Sequence, residues 1–172
     1  GLNRKLPPME DVVDPPIIKE RNIFTVVVNK FNQLLVEEKP LELTELRNEA
    51  VKFLDNGGGK GEEACSYCLG DRNPDSSDNP EKAVISLKND RETDYKVYIA
   101  VQNELVAAYN VLRNREFKRL NPNLGIDFVQ ADKIYNDPRT SIVEKERLKP
   151  LLSEVKLLFP QKLSEAEPSK TN

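Results

Sequence analysis

From Ile23 the chain alternates short apolar runs with polar turns: Ile23-Phe24-Thr25-Val26-Val27-Val28, then Asn29-Lys30-Phe31-Asn32, then Gln33-Leu34-Leu35-Val36-Glu37. Two β-branched or aliphatic runs around an Asn-containing turn predict a β-hairpin, with Lys39-Pro40 closing its second strand. The hydrophobic period then lengthens, because Leu43, Leu46, Ala50, Val51, Phe53 and Leu54 recur at helical spacing. This predicts an amphipathic helix that starts at Glu42 or Thr44 and stops at Asn56-Gly57. Ala83-Val84-Ile85-Ser86-Leu87 reads as a short strand. Tyr98, Val101, Leu105, Ala108 and Leu112 mark one face of a long helix beginning near Asp94. Leu46, Phe53, Val84, Ile85, Tyr98, Val101 and Leu105 are the expected core.

Between these periodic segments lie three regions of other character. Residues 1–22 carry Pro7-Pro8 and Pro15-Pro16 with charges between them, which reads as an extended linker. Val12, Val13, Pro15, Pro16, Ile17 and Ile18 are its candidate partner-binding residues, since the prolines hold the chain extended while the apolar pairs offer anchors to a partner's sheet edge. Residues 57–80 form a loop insertion and 121–160 a helical insertion. In the latter Leu148, Leu151, Leu152, Val155 and Leu158 point inward, and Pro150 is expected to fall near the first turn or bend the helix. A last short strand is expected around 162–166, followed by a polar tail at 168–172. The fold class is therefore α+β: a small sheet, with a hairpin and additional strands, two main helices on one face, and the helical insertion before the last strand. The folded domain is expected to span 23–167.

Composition narrows the chemistry. The 172 residues hold no histidine, two cysteines, 26 Lys and Arg, and 29 Asp and Glu, for a formal charge of −3. Without histidine, Ser-His-Asp and Cys-His nucleophile arrangements are excluded, as are imidazole zinc sites. Two cysteines cannot make a four-thiolate site, and a mildly acidic chain lacks the basic stripe of a nucleic-acid binder. No apolar run approaches the ~20 residues that cross a bilayer. No signal peptide is recognisable, and the initial Gly1 in place of Met leads to the expectation that the natural protein extends upstream.

Several short motifs have simpler readings. Cys65 and Cys68 have CxxC spacing, but they follow a helix and a glycine run instead of sitting at a strand-to-helix junction. A local disulfide that shapes the loop in an oxidising compartment is the better reading, and a thiol–disulfide protein is the alternative. Asp71-Arg72-Asn73-Pro74-Asp75 begins like a calcium loop and then fails, with Ser76 at the turn glycine and Lys82 at the twelfth position. Gly57-Gly58-Gly59-Lys60-Gly61 lacks the spacing of a phosphate loop and reads as flexible linker. Asp90-Arg91-Glu92-Thr93-Asp94 reads as a helix amino terminus, not an acid/base cluster. The chain is therefore not expected to be an enzyme or to carry a metal or cofactor.

The hairpin with its polar turn, the segment Lys39-Pro40-Leu41-Glu42-Leu43-Thr44-Glu45-Leu46, and the run from Val84 through Asp90 to Tyr95 together resemble the periplasmic domain of the ExbD/TolR biopolymer-transport family. The resemblance covers Ile23 to about Asn110. Asp90 and Tyr95 fall on the family's Asp and Tyr, while Asn89 and Asp94 replace its usual Ala and Pro. Gln102-Asn103-Glu104-Leu105, Tyr109-Asn110, Leu112-Arg113-Asn114 and Ser164-Glu165-Ala166-Glu167-Pro168 look like the Bacteroidetes branch, with its longer loop and extra helical insertion. The resemblance implies a single-pass protein of the bacterial inner membrane, anchored by an upstream helix outside this sequence. This domain would lie in the periplasm, an address that suits a Cys65–Cys68 disulfide. Its implied partners are an ExbB-like channel protein and a TonB-like transducer, with a homodimer and a cell-wall contact as further expectations.

Overall fold

The structure, a computed structural model, describes residues 17–165 and 170–171. In chain order it holds β1 (Ile18–Lys19), β2 (Ile23–Val28), β3 (Leu34–Val36), β4 (Lys39–Pro40), α1 (Leu43–Leu54), β5 (Val84–Asn89), α2 (Tyr95–Leu120), α3 (Phe128–Asn136), α4 (Ile142–Leu158), β6 (Leu163–Ser164) and β7 (Lys170–Thr171). The fold is α+β. A mixed five-stranded sheet runs β4-β3-β2-β5-β6, and β1 pairs with β7 in a separate ribbon. The predicted hairpin is β2 against β3, Val26 opposite Val36. β5 lies parallel to β2 along all six residues, from Ile23 opposite Val84 to Val28 opposite Asn89.

Alternation along the strands decides which face is covered. Phe24, Val26 and Val28 of β2 and Ile85 and Leu87 of β5 join Leu46, Phe53 and Leu54 of α1 and Tyr98, Val101, Leu105 and Leu112 of α2 in one core. Thr25 and Val27, one residue out of phase, are only half-buried. All seven core residues expected from periodicity are buried. A second core, of Phe117, Phe128, Ala131, Leu148, Leu152 and Val155, belongs to the end of α2 and the insertion.

Several boundaries differ from the sequence reading. Lys39-Pro40 does not close β3 but forms its own strand, β4. The two-residue turn before it puts Glu37 and Glu38 at φ 50° and 68°, a left-handed geometry that side chains rarely adopt. Ile18 to Asn22, read as the end of the linker, belongs to the fold: a strand and a 3-10 turn end at buried Asn22, which bonds Asp78. α4 begins well upstream of the expected position, capped by the Ser141 hydroxyl, so Pro150 lies mid-helix and not in the first turn. Pro150 sits on the solvent side, where water can satisfy the Glu146 carbonyl that the missing N–H leaves open.

Candidate functional site

In the loop at 57–80 the glycine run at 57–61, expected to be a flexible linker, is held in place, and the cysteines are buried. Asn56 at the end of α1 is buried and organises the loop: its amide nitrogen donates to the carbonyls of Asn73 (2.9 Å) and Ser77 (2.7 Å), and its amide oxygen accepts from Asn73 N–H (3.0 Å). Asp78, also buried, accepts from Arg21 and Asn22. The glycines are needed for close approach. Gly57 has φ +66°, and a Cβ there would come within 2.6 Å of Arg72 Nη1; a Cβ on Gly59 would come within 2.2 Å of the Glu63 carbonyl oxygen.

Within this frame Cys65 and Cys68 form a disulfide, and both are buried at 4% and 1% exposure. Arg72 lies under the ring: Nη1 donates to the Cys65 carbonyl and Nη2 to the Cys68 carbonyl, each at 2.5 Å. Neither cysteine heads a helix, so the thiolate stabilisation of a redox CxxC site has no source in the local backbone. The four-residue ring instead presents Tyr67. Its hydroxyl donates to the Leu158 carbonyl at the end of α4 (2.5 Å), and its ring meets Phe159 edge-on at 5.5 Å. Burial, with the charges of Glu116, Glu81 and Asp55 nearby, pushes the Tyr67 phenol up to about 12.

Behind Tyr67 lies an ion network that links α1, α2 and the loop. Arg115 makes a two-pronged pair with Asp55 at 2.7 and 2.9 Å, donates through Nε to Glu116 at 3.1 Å, and reaches the Tyr67 carbonyl at 3.3 Å. Glu116 is 1% exposed and also accepts from Arg119. The hydrogen bonds to Asp55 raise the Arg115 pKa further, so its charge is fixed. Nothing in the hydrophobic periodicity pointed to these residues. One signal was available: Asp55 follows the last turn of a helix, where the dipole disfavours an acid unless a cation holds it.

The Asp90–Asp94 segment is the expected helix amino terminus. Asp94 caps α2 by accepting from Lys96 N–H at 2.9 Å, while Asp90 accepts from Glu92 N–H at 3.0 Å. The segment also grips the hairpin tip. Thr93 donates to the Val28 and Asn29 carbonyls, and Asn32 accepts from Asp94 N–H at 2.8 Å. Asp71 and Asp75 are exposed. Among the described residues no group of His, Cys, Asp and Glu is placed to hold a metal ion.

Of the candidate partner-binding residues, Val12, Val13, Pro15 and Pro16 lie outside the described residues. Ile17 is exposed, whereas Ile18 is half-buried in β1 opposite Lys170. Beside this entrance an open cleft of about 610 Å³ is lined by Lys19, Glu20, Glu49, Lys52, Phe53 and Asp75, among others.

Comparison with known proteins leaves the family open: no family model matches the chain, and no curated protein matches it. Among the described residues, no helix is long and apolar enough to cross a membrane.

Proposed function

We propose that this chain is the periplasmic interaction domain of a proton-motive-force-coupled biopolymer transport complex of the ExbD/TolR kind, and that it supplies contacts instead of chemistry. The observation that carries the proposal is the continuity of the segments on which the resemblance rests. The hairpin β2–β3, the start of α1, β5 and the start of α2 are neighbours, and Thr93, Asp94 and Asn32 tie the last of them to the first. These segments make one frame, and the loop and helical insertions elaborate it. In this reading the domain belongs to a single-pass inner-membrane protein. It works with an ExbB-like channel and a TonB-like transducer, and force arrives through the Pro-rich segment that precedes Ile18 in the sequence. The buried bond at Cys65 and Cys68 suits an oxidising compartment and a structural role.

The test uses the full-length gene in its own bacterium. Removing residues 23–165 in frame should abolish energised outer-membrane uptake while the channel partner is still produced. Polar replacement of Val13 and Ile17 should have the same effect and leave the thermal stability of the purified chain unchanged; Ile18 is left alone because it packs in β1. Normal energised uptake in both strains would refute the proposal. Reduction of insulin disulfides by the purified chain, lost on Cys65→Ser, would establish the thiol–disulfide alternative instead.

A further inference from the structure

Strand β2 is an interior strand of the sheet, yet its hairpin partner covers only half of it. β3 pairs with Val26, Val27 and Val28, and the chain then turns away through Glu37 and Glu38 into β4. On that side residues 23–25 have no strand beside them among the described residues. Along a strand the N–H and C=O of one residue point to the same side, and successive residues alternate. The Thr25 carbonyl accepts from Glu37 N–H at 2.9 Å and Asn29 N–H donates to the Gln33 carbonyl at 3.0 Å, so Ile23 and Thr25 face the open edge. Two of their four backbone groups are satisfied by backbone: the Thr25 carbonyl by Glu37, and Ile23 N–H by the Glu20 carbonyl. Thr25 N–H donates instead to the exposed Glu37 carboxylate at 3.0 Å, and the Ile23 carbonyl has no donor among the described residues. Ile23 C=O and Thr25 N–H are the two groups that one residue of a parallel strand engages, donating to the first and accepting from the second. An antiparallel strand needs both groups of a single residue, one of which is already taken.

The room on either side of this edge matches a strand's period of two. On the helix side the cleft of about 610 Å³ is floored by Phe24 and Phe53, whose rings lie 5.1 Å apart. On the outer face a second cleft of about 530 Å³ is lined by Thr25 with Glu20, Glu37, Glu38 and Asp90, and its single base is Lys88. Both clefts reach Glu20 and Glu37, so they meet at the open edge. A strand residue in register with Phe24 places its side chain over the aromatic floor, and its two neighbours place theirs among the acids. The first position suits an apolar side chain, and the neighbouring positions suit lysine or arginine by charge complementarity.

We infer that the edge of β2 at residues 23–25 is a strand-addition site for an extended peptide of alternating basic and apolar residues, supplied by a partner protein and docked parallel to β2. Its apolar side chains lie toward Phe24 and Phe53, and its basic side chains toward Glu20 and Glu38. The incoming carbonyl displaces the Glu37 carboxylate from Thr25 N–H, and the displaced acid stays beside the basic side chains. Main-chain bonds supply the docking, and the two clefts select the sequence. Until then the carboxylate on Thr25 N–H blunts the unpaired edge, as charged side chains do at sheet edges generally. The inference does not depend on the transport reading.

The test is an NMR titration of the isotope-labelled 172-residue chain with a blocked seven-residue peptide that alternates lysine with valine, up to about 2 mM, a range that captures a short and weak contact. The backbone amides of Phe24, Thr25 and Val26 should shift and saturate. A peptide with glutamate in place of lysine should bind about tenfold more weakly. So should the lysine peptide N-methylated at its valines, which keeps every side chain and charge but cannot donate to the Ile23 carbonyl. Both comparisons use the unaltered chain and do not depend on how any variant folds. Glu20→Lys and Glu38→Lys, at exposed positions, should each weaken binding about threefold or more and leave the melting temperature unchanged. The absence of a saturable shift at these amides, equal binding of the glutamate peptide, or equal binding of the N-methylated peptide would each overturn the inference. Shifts of the same amides that grow with protein concentration when no peptide is present would assign the edge to a second copy of the chain and overturn it equally.

Discussion

Replacing Arg115 with Ala gives the sharpest test of how the loop is held to the helices. The Asp55 side chain is 8% exposed, and both of its oxygens accept from Arg115, with no other donor among the described residues. Glu116 loses one donor but keeps Arg119, and Tyr67 loses a donor to its carbonyl. Stranding one member of a buried pair costs about 3–5 kcal/mol, and the 28% exposure of the Arg115 side chain argues for the lower end, about 3 kcal/mol. Asp55→Ala should cost less, since Arg115 retains Glu116 and some solvent. In a double-mutant cycle the combined loss should fall short of the sum by about 1–3 kcal/mol, because the second replacement removes the stranded charge. Arg119→Ala, whose side chain is half-exposed, serves as the control and should cost no more than about 1 kcal/mol. Urea denaturation of the unaltered chain and the four variants with a shared m-value measures all of this. A loss below about 1 kcal/mol for Arg115→Ala, or strict additivity with Asp55→Ala, would show that the network is solvated and refute the reasoning.

Three further outcomes are expected. Replacing Cys65 and Cys68 together by Ser should cost about 2 kcal/mol, the chain-entropy value for so small a ring, and should raise amide exchange around the loop while the sheet stays protected; global unfolding would contradict it. Leu105→Ala, at a fully buried position, should cost about 2–5 kcal/mol by thermal or urea melts, and a loss under about 1 kcal/mol would remove Leu105 from the core. The raised Tyr67 phenol gives an alkaline signature. Its folded pKa lies above the unfolded value of 10, so its contribution is complete below pH 10 and is lost as pH rises towards about 12; Tyr67→Phe should flatten that part of the stability profile.

The frame was legible because it rests on periodicity. Leu46, Phe53, Val101 and Leu105 recur at helical spacing, Val26 and Ile85 alternate on strands, and Asp94 stands at the cap where it was expected. Other features left weaker traces. α3 is short, and its one clear mark is the reciprocal cap between Asp127 and Gln130, which a reading tuned to apolar repeats passes over as an irregular bridge. The start of α4 is hard to read in sequence because Pro150 suggests a first turn or a bend, and because Ile142 and Val143, apolar yet exposed, do not fit a buried face. The glycine run at 57–61 reads as flexible in sequence because the loop's restraints are side chain to backbone bonds over long separations, from Asn56 to Ser77 and from Asn22 to Asp78. No local pattern encodes such bonds. Tyr67, Arg72 and Arg115 were missed for the same reason.

The placement of β6 has a consequence for the order in which the molecule assembles and opens. The hairpin and its parallel neighbour can form from the first half of the chain, but Leu163 pairs with Ile85 about 80 residues earlier, after the whole insertion has been threaded. β6 contributes only two residues to the ladder, and its seat is completed by the Tyr109 hydroxyl accepting from Lys162 N–H. A strand that is short, at an edge and closed over a long span adds last and releases first, so β6 is the part of the sheet expected to open first. The sheet can therefore lose its fifth strand without losing its core, which leaves β5 as a momentary bare edge. That edge, and not the buried disulfide or the ion network, is where an extended segment from another molecule would compete with the protein's own chain.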